Sequence, residues 1–299
     1  MSQEARIYLE GLQQKGHEQY GRPPWLKQGE SSLSNPLLEG LLQLRARVQQ
    51  GQASPEEHYA AFRQISGMPL ASPADPAMHK QELQSMVRAP LPTRLEDPFL
   101  YAVFSLIYPY LEQGCRHFGY DPGAVAVGSL PHPEFWLPGA SGQLATLQQG
   151  LLRFLFRAAA AYQKFTTPPY LYERSRVLRP EIERNHYLKP EAKLRLDAAA
   201  DFTEALQAFL ISGKGTLPAG QSDQEGNTLP VAVEEAIVKP LFTFVFAQAY
   251  ARTFLGHQPG SRDWQQGTTA DLKALQITLI AFREGGKAAP LLHALSLCF

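Results

Sequence analysis

From Pro98 to Phe118 the chain reads PFLYAVFSLIYPYLEQGCRHF, apolar around almost the whole circumference of a helix. A helix without a polar face has to be surrounded by other elements, so this run predicts a central helix, kinked at Pro109 where the ring removes an N–H. The remaining segments must then supply its wrapping. Most of them carry helix signals. Ser34-Asn35-Pro36 offers cap and first-turn residues for a helix with Leu37, Leu38, Leu41, Leu42 and Leu44 at helical spacing, running up to Gln50-Gly51. Ser54-Pro55-Glu56-Glu57 opens the next helix, with acids where the helix dipole favours them and an apolar face of Tyr59, Phe62 and Ile65. A modest helix containing His79 and Met86 ends at Ala89-Pro90, with His79 and Glu82 expected on a solvated face.

Residues 121–142 are rich in proline and glycine and read as a long irregular connection, either a pocket wall or a cover. Helix periodicity resumes at Ser141, read as an N-cap, with Leu144, Leu147, Leu151, Leu152, Leu155 and Phe156. Further helices are expected over about 190–212, 231–255 and 269–283, with a short one after Pro290. The 190–212 helix should turn Leu194, Leu196, Phe202, Leu206, Phe209 and Leu210 to the core. No alternating strand pattern exceeds a few residues. The expected fold is therefore all-α: a single multi-helix globular domain over 34–299, preceded by a polar N-terminal arm over 1–33 that holds a short helix at 4–14 and is pinned by Trp25.

Composition removes several function classes. Lys plus Arg and Asp plus Glu are 28 each in 299 residues, so no whole-protein field draws the chain to nucleic acid or acidic membranes. The longest apolar run, 236–255, is interrupted by Lys239, Pro240, Gln248 and Arg252 and reads as a buried helix, not a membrane span. Cys115 and Cys298 sit in no CxxC pattern and suit two buried thiols of a reduced, cytoplasmic protein. The first residues show no basic segment followed by an apolar one, so no secretion signal is expected.

Charge, aromatics and backbone breaks coincide only between Tyr162 and Arg195, where eight bases stand against four acids with tyrosines interleaved. Arg174, Arg176 and Arg179 could clamp a carboxylate or phosphate, because guanidinium forks suit bidentate anions. The bland alternative is that Glu173, Glu181, Glu183 and Glu191 pair with them at helical i+3 and i+4 distances. Glu183 and His186 form an ExxH, half of a di-iron motif whose second half is missing. Gly213-Lys214-Gly215-Thr216 lacks the upstream glycine of a phosphate loop, and Ser141 lacks a GxSxG context. His132, between two prolines and near Trp136, is either a surface-loop residue or one that faces a pocket. The loop over 213–226, with Gly213, Gly215, Gly220 and Ser222, is expected to be mobile or to order over a ligand. His293, among Leu291, Leu292 and Leu295, reads either as a satisfied core histidine or as a haem ligand.

The order of these features resembles haem-dependent oxygenases of the indoleamine 2,3-dioxygenase type. In that family an aromatic- and Arg-Pro-containing segment precedes a Gly/Ser loop and a late helix with the proximal histidine. Tyr162 to Pro180, Ala219-Gly220-Gln221-Ser222 and Ala274 to His293 stand for these parts, so the likeness spans 162–293 loosely. It departs where Phe282-Arg283 is followed by Glu284-Gly285-Gly286, with His293 only beyond Pro290. The resemblance implies haem held by His293, propionate or substrate carboxylate on Arg174, Arg176 or Arg179, a lid over 213–226 and a small aromatic substrate. Two readings therefore stand: a helical protein binding a small anionic or aromatic ligand, with or without haem chemistry, and a non-catalytic factor that docks a protein partner through its arm and helical surface.

Overall fold

The computed structural model describes residues 3–23, 25–28, 33–66, 76–131, 144–166, 188–212, 237–257 and 264–283. These form a predominantly helical chain in two compact units, one of Met1–Gln149 with Ser222–Phe299 and one of Gly150–Gln221. Among the described residues no helix is long and apolar enough to cross a membrane.

The larger unit is built on the central helix expected from the sequence. Helix α1 covers Gln3–Tyr20, followed by the two-residue antiparallel strands β1 (Lys27–Gln28) and β2 (Leu33–Ser34). Helices α2 (Pro36–Gln49), α3 (Pro55–Ser66) and α4 (Pro76–Arg88) then lead to α5 (Pro98–His117). Helix α5 is buried from Pro98 through Tyr108 and continues past Pro109 to its last turn. Its wrapping comes from α3, α4, α8 (Lys239–Phe254) and α9 (Trp264–Phe282), with α8 and α9 also packed on each other. Gly114 permits the α5–α9 crossing: a Cβ there would lie 2.3 Å from the Ile277 carbonyl oxygen.

The helix starts follow their capping chemistry. Asn35 accepts a hydrogen bond from the Leu38 amide at 3.4 Å, Ser54 from Glu57 at 3.1 Å and Asp97 from Phe99 at 2.9 Å. Each side chain satisfies an N–H that the first helical turn leaves without an intrahelical partner.

Three expectations need correction. The helix expected over 4–14 reaches Tyr20, and it buries Ala5, Leu9, Leu12, Gln13 and His17; Leu9 and Leu12 form a core with Leu130. Second, the helix expected from Ser141 begins only at Gln149, as α6 (Gln149–Thr166). The residues before it, Leu144–Gln148, form strand β4, which pairs in parallel with β3 (Ala126–Leu130), Ala126 opposite Leu144 and Leu130 opposite Gln148. Leu144 and Leu147 thus satisfy a helical spacing while their backbone hydrogen bonds go to a strand 18 positions back in the register.

The third lies in the smaller unit, which contains α6 from Gly150 onward and α7 (Leu188–Ser212). Phe154 stacks on Phe209 with ring centroids 5.2 Å apart, and Arg157 pairs with Glu204 at 3.2 Å. On α7 the small residues Ala198 and Ala205 are buried, whereas Leu196 and Leu210, expected in the core, are 70% and 71% exposed. Phe202 also stands exposed.

Candidate functional site

Two cavities flank α5. At 100° per residue, Leu100, Tyr101 and Phe104 lie on one side of that helix, and Leu106 and Pro109 on the opposite side. Each set lines its own cavity.

The first is a cleft of about 310 Å³, counting its open mouth. Its walls are Leu100, Tyr101 and Phe104 from α5, Val127 from β3, Leu147 from β4 and Phe246 from α8. Phe104 and Phe246 meet with ring centroids 5.2 Å apart, which gives the floor an aromatic face. Glu96, Gly128 and Ser129 supply the polar part of the lining.

Glu96 is buried, and its carboxylate is surrounded by four donors. The Gln13 amide nitrogen donates to Oε2 at 3.0 Å, the Asp97 amide to Oε1 at 3.0 Å, and the Ser129 amide to Oε2 at 3.0 Å. The Ser129 hydroxyl donates to Oε1 and accepts in turn from Gln149 at 3.3 Å. Gln13 is itself fixed, since the Thr93 hydroxyl donates to its oxygen and its nitrogen also reaches the Ser129 carbonyl at 2.9 Å. Asn35 donates to the Glu96 carbonyl at 2.7 Å. Glu96 therefore ties α1, the start of α2, the turn before α5 and β3 into one network. Burial pushes its carboxyl up to about 7; the neighbouring Asp97 adds to the rise, and the Ser129 hydroxyl and amide and the Asp97 amide oppose it.

Gly128 makes this closeness possible. A Cβ there would stand 2.3 Å from Leu9 Cδ2 and 2.8 Å from Glu96 Oε2.

The second space measures about 250 Å³ counting its open mouth and is lined by Tyr59, Arg63, Glu82, Lys239, Met86, Leu106 and Pro109. Arg63 and Lys239 are buried cations. The Arg63 guanidinium donates to the Tyr59 hydroxyl at 2.8 Å, and the Lys239 ammonium to the Tyr110 hydroxyl at 3.2 Å. Tyr110 passes its own proton toward Glu82 at 2.6 Å, so Glu82 is drawn into this cluster and does not sit on the solvated face expected for it.

A third buried polar group lies nearby. Arg45 donates to the Tyr101 hydroxyl at 2.8 Å, and His58, fully buried against Phe62, has no protein hydrogen-bond partner at either ring nitrogen. Burial holds the His58 imidazole down at about 4, with the Arg45 charge adding to the effect. Cys115 is buried as expected, and burial pushes its thiol up to about 12, which keeps it unreactive.

Arg174, Arg176, Arg179, Gly213, Gly215, Gly220, Ser222 and His293 all lie outside the described residues, as do His132, Ser141, Glu183, His186 and Cys298. Sequence reasoning passed over Glu96, Ser129 and Gln13. The available signal was an acidic pair, Glu96-Asp97, set between Leu95 and the apolar α5 run, where a charge needs partners.

The residues that the resemblance assigns to haem, His293 with Arg174, Arg176 and Arg179, lie outside the described residues. Among the described residues no group of three or more His, Cys, Asp or Glu side chains gathers as a metal site. The chain matches no protein-family model, no curated protein and no solved structure.

Proposed function

We propose that the chain is a small-molecule-binding protein whose cleft beside Phe104 and Phe246 takes a small, uncharged aromatic molecule. The observation that carries this reading is the lining itself. Six apolar side chains from two helices and two strands converge on one space, with a single charged group at its edge. Such concave, mostly apolar sites with few polar groups are where small ligands bind. The charged group also argues for binding in preference to turnover. A general base needs a lone pair within reach of the substrate, and the Glu96 oxygens already accept from four protein donors.

Indole serves as the probe. Calorimetric titration should give saturable one-to-one binding to the wild-type chain and none to Val127→Trp, whose side chain would fill the cleft from β3. Leu147→Trp gives the same block from β4 should the first variant fold poorly. Wild-type protein that shows no saturable heat with indole or with a second neutral aromatic, such as toluene, would remove this reading.

Docking of a protein partner is a second reading, favoured by the exposure of Leu196, Phe202 and Leu210 along α7. Its test is whether a chain with all three changed to Glu loses a partner that the wild type retains on size-exclusion chromatography. Haem binding through His293 is a separate proposal, carried by the sequence resemblance alone. A Soret band in the purified protein that vanishes in His293→Ala would support it, and failure to take up added haem would end it.

A further inference from the structure

We propose that α2 and α3 open away from α5 as the medium turns acidic, with His58 as the trigger. His58 lies where the three helices meet. Its ring is fully buried on α3, stands edge-on to Phe62 with centroids 4.3 Å apart, and has no protein hydrogen-bond partner at either nitrogen. Phe62 in turn meets Tyr101 of α5 at 5.5 Å, and the Tyr101 hydroxyl accepts from the buried Arg45 of α2 at 2.8 Å. The joint therefore combines one buried cation, one imidazole and two aromatic rings. A proton on His58 would add a second cation to it.

Helices α2, α4 and α5 pack against α3, and the groups they turn toward His58 decide the sign of the effect. From α2 it is Arg45, and from α5 it is the Tyr101 phenol that Arg45 already engages. On α4, His79 meets Tyr59 and Glu82 accepts from Tyr110, so both are turned to other partners. On α3 itself Glu56 and Glu57 are exposed, and Arg63 donates to Tyr59. Among the described residues the charge acting on the imidazole is thus a cation. Protonation of the closed joint costs desolvation and repulsion together, so burial, helped by Arg45, holds the imidazole at about 4. Once the joint opens, the ring meets water and regains its ordinary 6.5. The opened form therefore binds the proton more tightly. Closure is complete above 6.5 and is lost as pH falls through 4. Opening of this kind leaves Glu96 with its Gln13, Asp97 and Ser129 donors, so it is local where global unfolding is not.

Amide hydrogen exchange of the full chain, expressed as protection factors, reads the opening helix by helix. Between pH 7.5 and pH 4.5 the α3 amides should lose protection by about fiftyfold. The α9 amides should not follow. Their exchange needs unfolding that also breaks the Glu96 network, whose proton is held more tightly in the folded chain and so works in the opposite direction. His58→Leu, which keeps an apolar side chain against Phe62 and removes the titrating ring, should leave α3 protection independent of pH over the same range. The inference is overturned if α3 stays protected down to pH 4.5, if α3 and α9 lose protection in equal measure, or if α3 still loses it in His58→Leu. The wild-type comparison of α3 with α9 needs no substitution, so it decides the matter even if His58→Leu folds poorly.

Discussion

On one face of α5, beside Leu100, Tyr101 and Phe104, the buried charge is Glu96, and four donors close around it. On the other face, beside Leu106 and Pro109, the buried charges are Arg63 and Lys239, which donate to the phenol hydroxyls of Tyr59 and Tyr110 respectively. Both arrangements place ions in the core, where desolvation is costly unless hydrogen bonds offset it. The difference lies in the sign of the charge and in what meets it. Glu96 accepts from amide and hydroxyl donors, whereas Arg63 and Lys239 donate to phenol hydroxyls and lie over the rings of the same tyrosines, each 5.3 Å from the centroid. The first charge therefore works as a structural tie beside an apolar cleft, and the second pair belongs to a cation–tyrosine cluster.

The sharpest way to break this contrast is to remove the tie. Glu96→Ala would leave the Gln13, Asp97 and Ser129 donors without their acceptor and is expected to cost about 4 kcal/mol of folding stability. Urea unfolding at pH 6 measures it, and a loss under about 1 kcal/mol would mean that the network is not the tie described here.

Proton linkage gives the next effect. The folded Glu96 carboxyl is raised to about 7 from an ordinary 4.5, so the folded state binds the proton more tightly than the unfolded one. Its contribution is complete below 4.5 and is lost as pH rises through 7, a fall of about 3 kcal/mol across the window. His58 acts in the opposite direction. Its imidazole is lowered to about 4 from 6.5, so its contribution is complete above 6.5 and is lost as pH falls through 4. His17, lowered mainly by burial, adds in the same sense as His58. Between pH 4.5 and 7 the Glu96 loss and the histidine gain oppose each other, so the wild-type profile should be flattened there, and Glu96→Gln should make stability rise more steeply with pH across that window. An unchanged profile in Glu96→Gln would assign the titration to another group.

Gly128→Ala is a smaller perturbation of the same face. The new methyl would press on Leu9 and the Glu96 carboxylate, and overpacking of this kind costs about 2 kcal/mol. A shift in denaturation midpoint with an unchanged slope would confirm a local effect, and no shift would show that α1 yields easily against β3.

What could be read from sequence was local. Asn35-Pro36, Ser54-Pro55 and Asp97-Pro98 each place a cap and an N1 proline together, and α2, α3 and α5 begin there. The all-round apolar run of α5 likewise implied its burial. The β3–β4 pair was not legible, because parallel pairing of Ala126–Leu130 with Leu144–Gln148 is decided by partners beyond any local window, and the leucines at 144 and 147 also satisfy a helical period. On α7 the leucine stripe misled for a related reason. Close packing can favour small residues, and Ala198 and Ala205 are buried while Leu196 and Leu210 are not. The cleft was invisible for the strongest reason of all. Glu96 acquires its surroundings from Gln13 and Ser129, which are 83 and 33 positions away.

The most direct measurement of the central claim is a crystal structure of the wild-type protein grown with indole. The account predicts a flat ligand against Phe104 and Phe246, with the Glu96 carboxylate still held by Gln13, Asp97 and Ser129 and no indole beside Lys239. Indole seated between Arg63 and Lys239, or a ligand that displaces Ser129 from Glu96, would contradict it.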